Sequence, residues 1–462
     1  MSSAASAAAE EPASDGGRVL GFWMCTALVV GNIIGVGIFA MPAALAPYGL
    51  NALIGWLVNV VGCALLALCF AALSRAFPHD DGPQAYTARA FGKGAAFIVM
   101  WSYWVSVWVG NAAIAIGTAG YATVFFPGVM QVPGLPALSA LALIWVFVLV
   151  NLLGARTAGW VQILTTALKL LPQFAVIVLG LWVLIAHPAW YAAHVPPNPL
   201  SWREVSSVCT LALFAMLGIE CAMIAAGRVR DPARTIPRAT LAGTLLTALV
   251  YIAISAVPMF LIPQRELAAS NAPYTDLFAR VLGGRYGEIV AAFVIVSGLG
   301  VLNGFTLIAG EVAQRMARHG GFPSALGQEN RYGAPARALL LTGLVTSVLL
   351  LTNYTDSVTK VFALLIVIAT AGTLPLYLAS TLALIVLRRR AAPARGGAPA
   401  GTPGPWMLFA ASGAVAYCAW VSIGIGTEPL LWTLALCGAG VPLYAWSSLA
   451  RRRAALLGSE AA

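Results

Sequence analysis

Charge is the scarcest property of this chain. Of 462 residues only 9% are Asp, Glu, Lys or Arg, while 60% are hydrophobic. Soluble domains carry about 25% charged residues, so a water-exposed globular fold is excluded. Histidine is almost missing: His79, His187, His194 and His319 lie in loops or at the ends of apolar runs. No His-Glu-x-x-His, Ser-His or Cys-His set falls within an apolar run, so a membrane-embedded hydrolase of these patterns has no catalytic constellation. A haem or quinone carrier would want paired histidines inside the spans, and none occur. The seven cysteines (25, 63, 69, 209, 221, 418 and 437) all sit in apolar runs without paired spacing. They read as small core residues rather than as disulfides or a metal site, so no metal and no cofactor is expected. A ring-forming filter motif is lacking too, which argues against a channel.

What is present is a series of apolar runs of bilayer-crossing length. The pattern predicts an all-α integral membrane protein with 12 transmembrane helices, at about 19–47, 50–75, 94–125, 136–153, 159–186, 205–227, 239–263, 284–317, 336–352, 357–387, 405–424 and 429–449. Residues 18–450 form one transmembrane domain. The Ala/Ser-rich residues 1–17 lack the charged start and cleavage site of a signal peptide and read as a disordered cytoplasmic tail. Residues 451–462 read as a second cytoplasmic tail. No soluble domain fits between spans, and the only low-complexity linker is 388–404.

Basic residues are asymmetric. One face holds Arg18, Arg75, Arg89, Lys93, Arg156, Arg228, Arg230, Arg234, Arg238, Arg315, Arg318, Arg331, Arg337, Arg388 to Arg390, Arg395 and Arg451 to Arg453. The other holds only Arg203, Arg265, Arg280, Arg285 and Lys360. This bias predicts both termini in the cytoplasm of a multi-pass protein of the cytoplasmic membrane. It also explains the net charge of +10 through anionic membrane lipid, with no nucleic acid needed.

Glycine carries the functional signal. Gly31-Asn-Ile-Ile-Gly-Val-Gly-Ile-Phe39 places Gly31, Gly35 and Gly37 inside the first span. Glycine weakens helices, so this run invites the first helix to open. An opened backbone is tolerated at membrane depth only where protein or a watery cavity satisfies it. The new half-helix, starting near Ile38, aims its positive end at an anion. A second break is expected in the sixth span, at Gly218-Ile-Glu220. Two interrupted helices at corresponding places point to a transporter site near the bilayer midplane.

These motifs, with the basic loop Arg230-Asp-Pro-Ala-Arg-Thr-Ile-Pro237, Tyr103 to Asn111 and Gly304 to Gly310, resemble the amino acid–polyamine–organocation transporters. Within them the chain is most similar to the arginine/agmatine antiporters and the basic amino acid/polyamine antiporter group. The resemblance implies the 5+5 inverted repeat of the leucine-transporter fold with broken helices 1 and 6. Repeat one would cover 18–190, repeat two 200–387, and two extra helices 405–449. Some relatives form homodimers through those last two helices. The resemblance also implies a substrate carboxylate held by backbone N–H groups at Ile33, Gly35, Val36 and Gly37. Phe214 takes the place of a gating tryptophan, with Ala215 and Leu217 beside it. Phe305 takes the place of a stacking tryptophan and Ile368 that of a serine. Tyr103, Ser106 and Asn111 line the same region, and Glu220 is the proton-sensitive carboxylate.

Relative to that pattern hydroxyl and indole groups are lost. Each unmet buried polar group costs about 1–3 kcal/mol. The expectation drawn from this is a sodium-independent, proton-coupled symporter or exchanger for a neutral or apolar amino acid. The alternative is an amino acid/amine antiporter; a substrate sensor on the same scaffold is the alternative from another class. Lys169, within the fifth span, is the second candidate for proton coupling, since an intramembrane ionisable residue is a functional candidate. Structural readings stand beside these roles. Lys169 as a static tether of the broken helix, Glu220 as a core carboxyl, Phe214 and Phe305 as packing, and Tyr103, Ser106 and Asn111 as interhelical hydrogen bonds all remain open. Glu311 reads as a partner of Arg315.

Overall fold

The computed structural model describes residues 21–35, 37–77, 82–128, 132, 134–153, 155–196, 198–219, 231–352, 357–391, 405–445 and 447. The described residues are helical, without strands. The first half holds α1 (Phe22–Ile33), α2 (Gly37–Leu45), α3 (Asn51–Ala76), α4 (Pro83–Phe91), α5 (Lys93–Ala122), α6 (Leu135–Leu152), α7 (Ala155–Ala186) and the short α8 (Pro188–Ala193). There follow α9 (Trp202–Ala215), α10 (Pro232–Leu261), the short α11 (Gln264–Ala269) and α12 (Pro273–Leu282), then α13 (Gly284–Arg318), α14 (Ala336–Thr352) and α15 (Val358–Ala391). Last come α16 (Pro405–Ile423) and α17 (Thr427–Gly438). Eight helices among the described residues are long and apolar enough to cross a membrane, and Phe22–Gly31, Gly37–Tyr48 and Ala336–Thr352 are shorter apolar helices.

The core is organised around α5, which packs between α13 and α15. Its apolar window is 94% buried, against 33% for α6, which places α5 at the centre and α6 at the lipid-facing rim. Small and hydroxyl residues bring these backbones close. Ser102 Oγ donates to Gly372 O at 2.7 Å, and Ser106 Oγ pairs with Thr373 Oγ1. A Cβ on Gly298 would lie 2.2 Å from Thr118 Oγ1, so glycine is required for α13 to approach α5. On the other side α3 packs against α9, α10 and α16.

The first expected span is interrupted. The helix stops at Ile33, Ile34 is extended (φ −70°, ψ 108°), and helix resumes at Gly37, one residue before the expected restart. The sixth span starts at a capping box: Ser201 Oγ accepts from Glu204 N–H, and Glu204 sits in the first turn. It ends at Ala215, where Met216 N–H and Leu217 N–H bond back to Leu213 O and Phe214 O in tightened turns. Gly218 follows at φ 111°, a conformation side chains rarely adopt. Helix is therefore lost three residues before the glycine that signals it. Glu220 and Val36 lie outside the described residues. Six of the cysteines are free thiols with Cys25, Cys63, Cys69, Cys209 and Cys418 buried; Cys221 lies outside the described residues.

Candidate substrate site

Opening a helix frees carbonyls that would otherwise accept i+4 bonds. At the end of α1 three carbonyls have the following partners. Val30 O accepts from Ile34 N–H at 3.0 Å. Gly31 O, whose i+4 partner would be Gly35, instead accepts from the Lys169 ammonium. Ile33 O accepts from Tyr251 Oη of α10 at 3.0 Å. Lys169 is only 2% exposed, so its charge is spent inside the protein, on the carbonyl end of a half-helix where a cation is favoured. Tyr251 packs edge-on against Trp56, with ring centroids 5.7 Å apart. On the restarted half-helix, Tyr121 Oη of α5 donates to Phe39 O at 2.8 Å.

The break abuts Phe214. Ile33, Gly35, Gly37, Phe214, Ala215, Leu217 and Phe305 come together around a cavity of about 20 Å³. Ile38, Ile114 and Val301 complete its wall. That volume suits a single water and no amino acid. Phe214 fills the rest. One edge of its ring, Cε1, lies 2.8 Å from where a Gly37 Cβ would be, and the other, Cε2, 3.3 Å from that of Gly110. The ring thus bridges the half-helix and α5 across two glycines. Phe305 Cε1 lies beside the same Gly110 position, at 3.6 Å, and Ala369 at 3.7 Å.

The remaining expected residues surround this wall without lining it. Asn111 is buried, and its Nδ2 donates to Thr306 Oγ1 at 2.9 Å; its Oδ1 is buried and accepts no hydrogen bond among the described residues. Ser106 is committed to Thr373 on α15. Tyr103 is buried on α5. Ile368 is buried on α15, where its neighbour Ala369 is the residue that meets Gly110. Glu311 lies 3.9 Å from Arg315 across one helical turn, and both are about half exposed. Tyr251, Thr306, Gly110 and Val301 are residues that sequence reasoning missed. A tyrosine in an otherwise apolar span and a glycine beside Asn111 were the available signals. No cluster of three or more His, Cys, Asp and Glu able to hold a metal occurs among the described residues.

An interrupted membrane helix whose carbonyls meet side chains of two other helices, with an aromatic ring packed on the restart, is an arrangement suited to a multi-pass membrane transporter. The chain belongs to the amino acid permease family, whose model matches residues 20–441. It is similar to the cadaverine/lysine antiporter of Escherichia coli (strain K12), 32% identical over 72% of this chain and 74% of that one. A Bacillus subtilis (strain 168) protein provisionally named an arginine/ornithine antiporter is 32% identical over 78% of this chain and 83% of its own. The putrescine transporter PotE of E. coli K12 is 29% identical over 80% and 84%.

Proposed function

We propose that this protein is a secondary active exchanger of a basic amino acid against an amine or diamine, working by alternating access. The expectation of a neutral-amino-acid symporter is set aside, because the relatives above are named for lysine and cadaverine, arginine and ornithine, and putrescine. That expectation took the lost hydroxyls and indoles as lost partners for a polar side chain, with Phe a weaker cation–π face than Trp. The observation that carries the present reading is the likeness to those relatives, and it is supported by Asn111, next to the Gly110 against which Phe214 and Phe305 pack, whose Oδ1 accepts no hydrogen bond among the described residues. An ammonium is the donor it lacks, and a bond to a charged group is worth about 1.5–3 kcal/mol. Phe214 and Phe305 offer π faces to the same cation and apolar surface to the methylenes of a lysine or diamine chain.

In this reading the backbone of Ile33, Gly35, Val36 and Gly37 receives the carboxylate when the substrate has one. Phe214 must leave its seat between Gly37 and Gly110 before a substrate enters. The twelve crossings, the five-plus-five inverted repeat, cytoplasmic termini and placement in the cytoplasmic membrane belong to the same proposal, as does a homodimer through the last two helices. Lys169 serves it as the tether of the broken helix, and Glu220 is the candidate proton carrier.

Exchange in proteoliposomes tests the proposal. Liposomes preloaded with cadaverine or putrescine should take up labelled lysine or arginine faster than empty ones, and labelled leucine should enter neither. Leucine uptake driven by an inward pH gradient, with no internal substrate required, would overturn it.

A further inference from the structure

On the side of α5 away from the gate, a deep cleft of about 530 Å³ runs between α5, α14 and α17. Trp101, Trp104 and Trp108 form its floor, and Leu344, Val348 and Trp432 stand on its walls. These wall residues are 55%, 63% and 37% exposed, so the cleft opens sideways to the bilayer. Apart from Thr352, every residue around it is apolar or tryptophan. The aromatic floor is rigid: Trp104 lies edge-on to Phe322 at 5.4 Å, and Trp101 Nε1 donates to Leu436 O at 3.0 Å.

A second pocket, of about 430 Å³, continues it at the basic end of the bundle. There the wall changes character, with Gln84, Lys93, His319 and Tyr444. The walls of the two spaces adjoin at three places. Phe97 of the polar pocket stacks on Trp101 of the cleft, centroids 6.3 Å apart. Gly321 adjoins Phe322, and Leu443 adjoins Tyr444. Lys93 makes no ion pair among the described residues, although Arg315, Arg318, Arg234 and Arg280 do.

We propose that this double pocket is a phospholipid site, in which an acyl chain lies in the tryptophan-floored cleft and an anionic headgroup phosphate rests on Lys93. Each half of the site matches one half of the ligand. An open apolar cleft facing hydrocarbon fills with hydrocarbon, and an unpaired ammonium at the membrane boundary attracts anionic headgroups. Because Asn111 and Gly110 stand on the same helix as the three tryptophans, the occupied cleft braces α5 from behind while Phe214 moves in front. The site is read from geometry alone and stands whatever the transported substrate proves to be.

The full chain in detergent would be titrated with phosphatidylglycerol and with phosphatidylcholine of matched acyl chains, reading thermal unfolding. Phosphatidylglycerol should raise the melting temperature by more degrees than phosphatidylcholine. Ala439→Trp, which fills the cleft, should abolish the response to both. Lys93→Ala should abolish only the difference between them, and Lys93→Arg should restore it. A photoreactive acyl-chain phosphatidylglycerol should label wild-type peptides around Leu344 and Trp432, a readout that does not depend on the variants folding. Equal responses to both lipids in the wild type, a full response in Ala439→Trp, a retained preference in Lys93→Ala, or labelling spread evenly over the lipid-facing helices would each overturn the proposal. So would cross-linking that seats a second copy of the chain over Leu344 and Val348 of α14, a face apart from the last two helices.

Discussion

Gly37→Ala is the substitution that most directly interrogates the gate. Its new Cβ would stand 2.8 Å from Phe214 Cε1, closer than any real carbon contact, so the ring must yield. On its far side the ring faces Gly110 of α5, so any displacement carries it toward that helix. Overpacking of a buried site costs about 1–3 kcal/mol. Alanine also improves helix propensity by about 0.8–1 kcal/mol, but that gain applies whether or not the gate is shut. The closed arrangement therefore loses the overpacking cost, a shift of roughly 5- to 150-fold in the gating equilibrium. In proteoliposome exchange the maximal rate of Gly37→Ala should fall by at least about fivefold, with its stability in thermal unfolding lower by no more than about 2 kcal/mol. Phe214→Leu in the same chain removes the clashing edge and should recover part of the rate. A Gly37→Ala protein that exchanges at the wild-type rate would refute the wedge, and so would a defect that Phe214→Leu leaves untouched.

Other expectations follow from the same geometry. Lys169→Met keeps the length of the side chain but leaves Gly31 O without its donor; stability should drop by about 1–3 kcal/mol in thermal unfolding, and an unchanged melting temperature would remove the tether. Asn111→Val should raise KM for lysine or a diamine by about 10- to 150-fold, the worth of a hydrogen bond to a charged group, whereas a change confined to the maximal rate would place Asn111 outside the binding contact. Tyr251→Phe strips one bond from Ile33 O and should cost about 1 kcal/mol of stability, read by the same unfolding assay. In the loop before α14, the Gln314 amide and then Arg318 donate to Glu329 and hold its carboxyl below the usual range. Its stabilisation is thus complete above the ordinary carboxylate pKa and lost as pH falls through the depressed value. Glu329→Gln should flatten that acid limb in unfolding measured against pH.

The gate owes its form to contacts that no local pattern announces. The glycine run made the interruption of the first span legible, since glycine's cost to a helix is a property of the residue itself. Composition settled the membrane class for the same kind of reason: hydrocarbon tolerates few charges wherever the chain folds. Lys169 was legible as an oddity, because a lone ammonium in an apolar span needs a partner. The expectation of a neutral substrate, which the relatives do not support, weighed the lost polar side chains that a sequence displays; the burial of Asn111 Oδ1 is not displayed there.

The sequence by itself thus determined a helical membrane permease with an opened first helix, and named several of the residues that meet at the break. Only the tertiary structure decided which side chains meet the opened carbonyls, since Lys169 reaches Gly31 across 138 positions and Tyr251 reaches Ile33 across 218. It likewise decided that Phe214 sits between two glycines of different helices. Helix periodicity describes neighbours three or four residues apart; partners separated by whole spans are chosen by packing, which exists only once the bundle has closed.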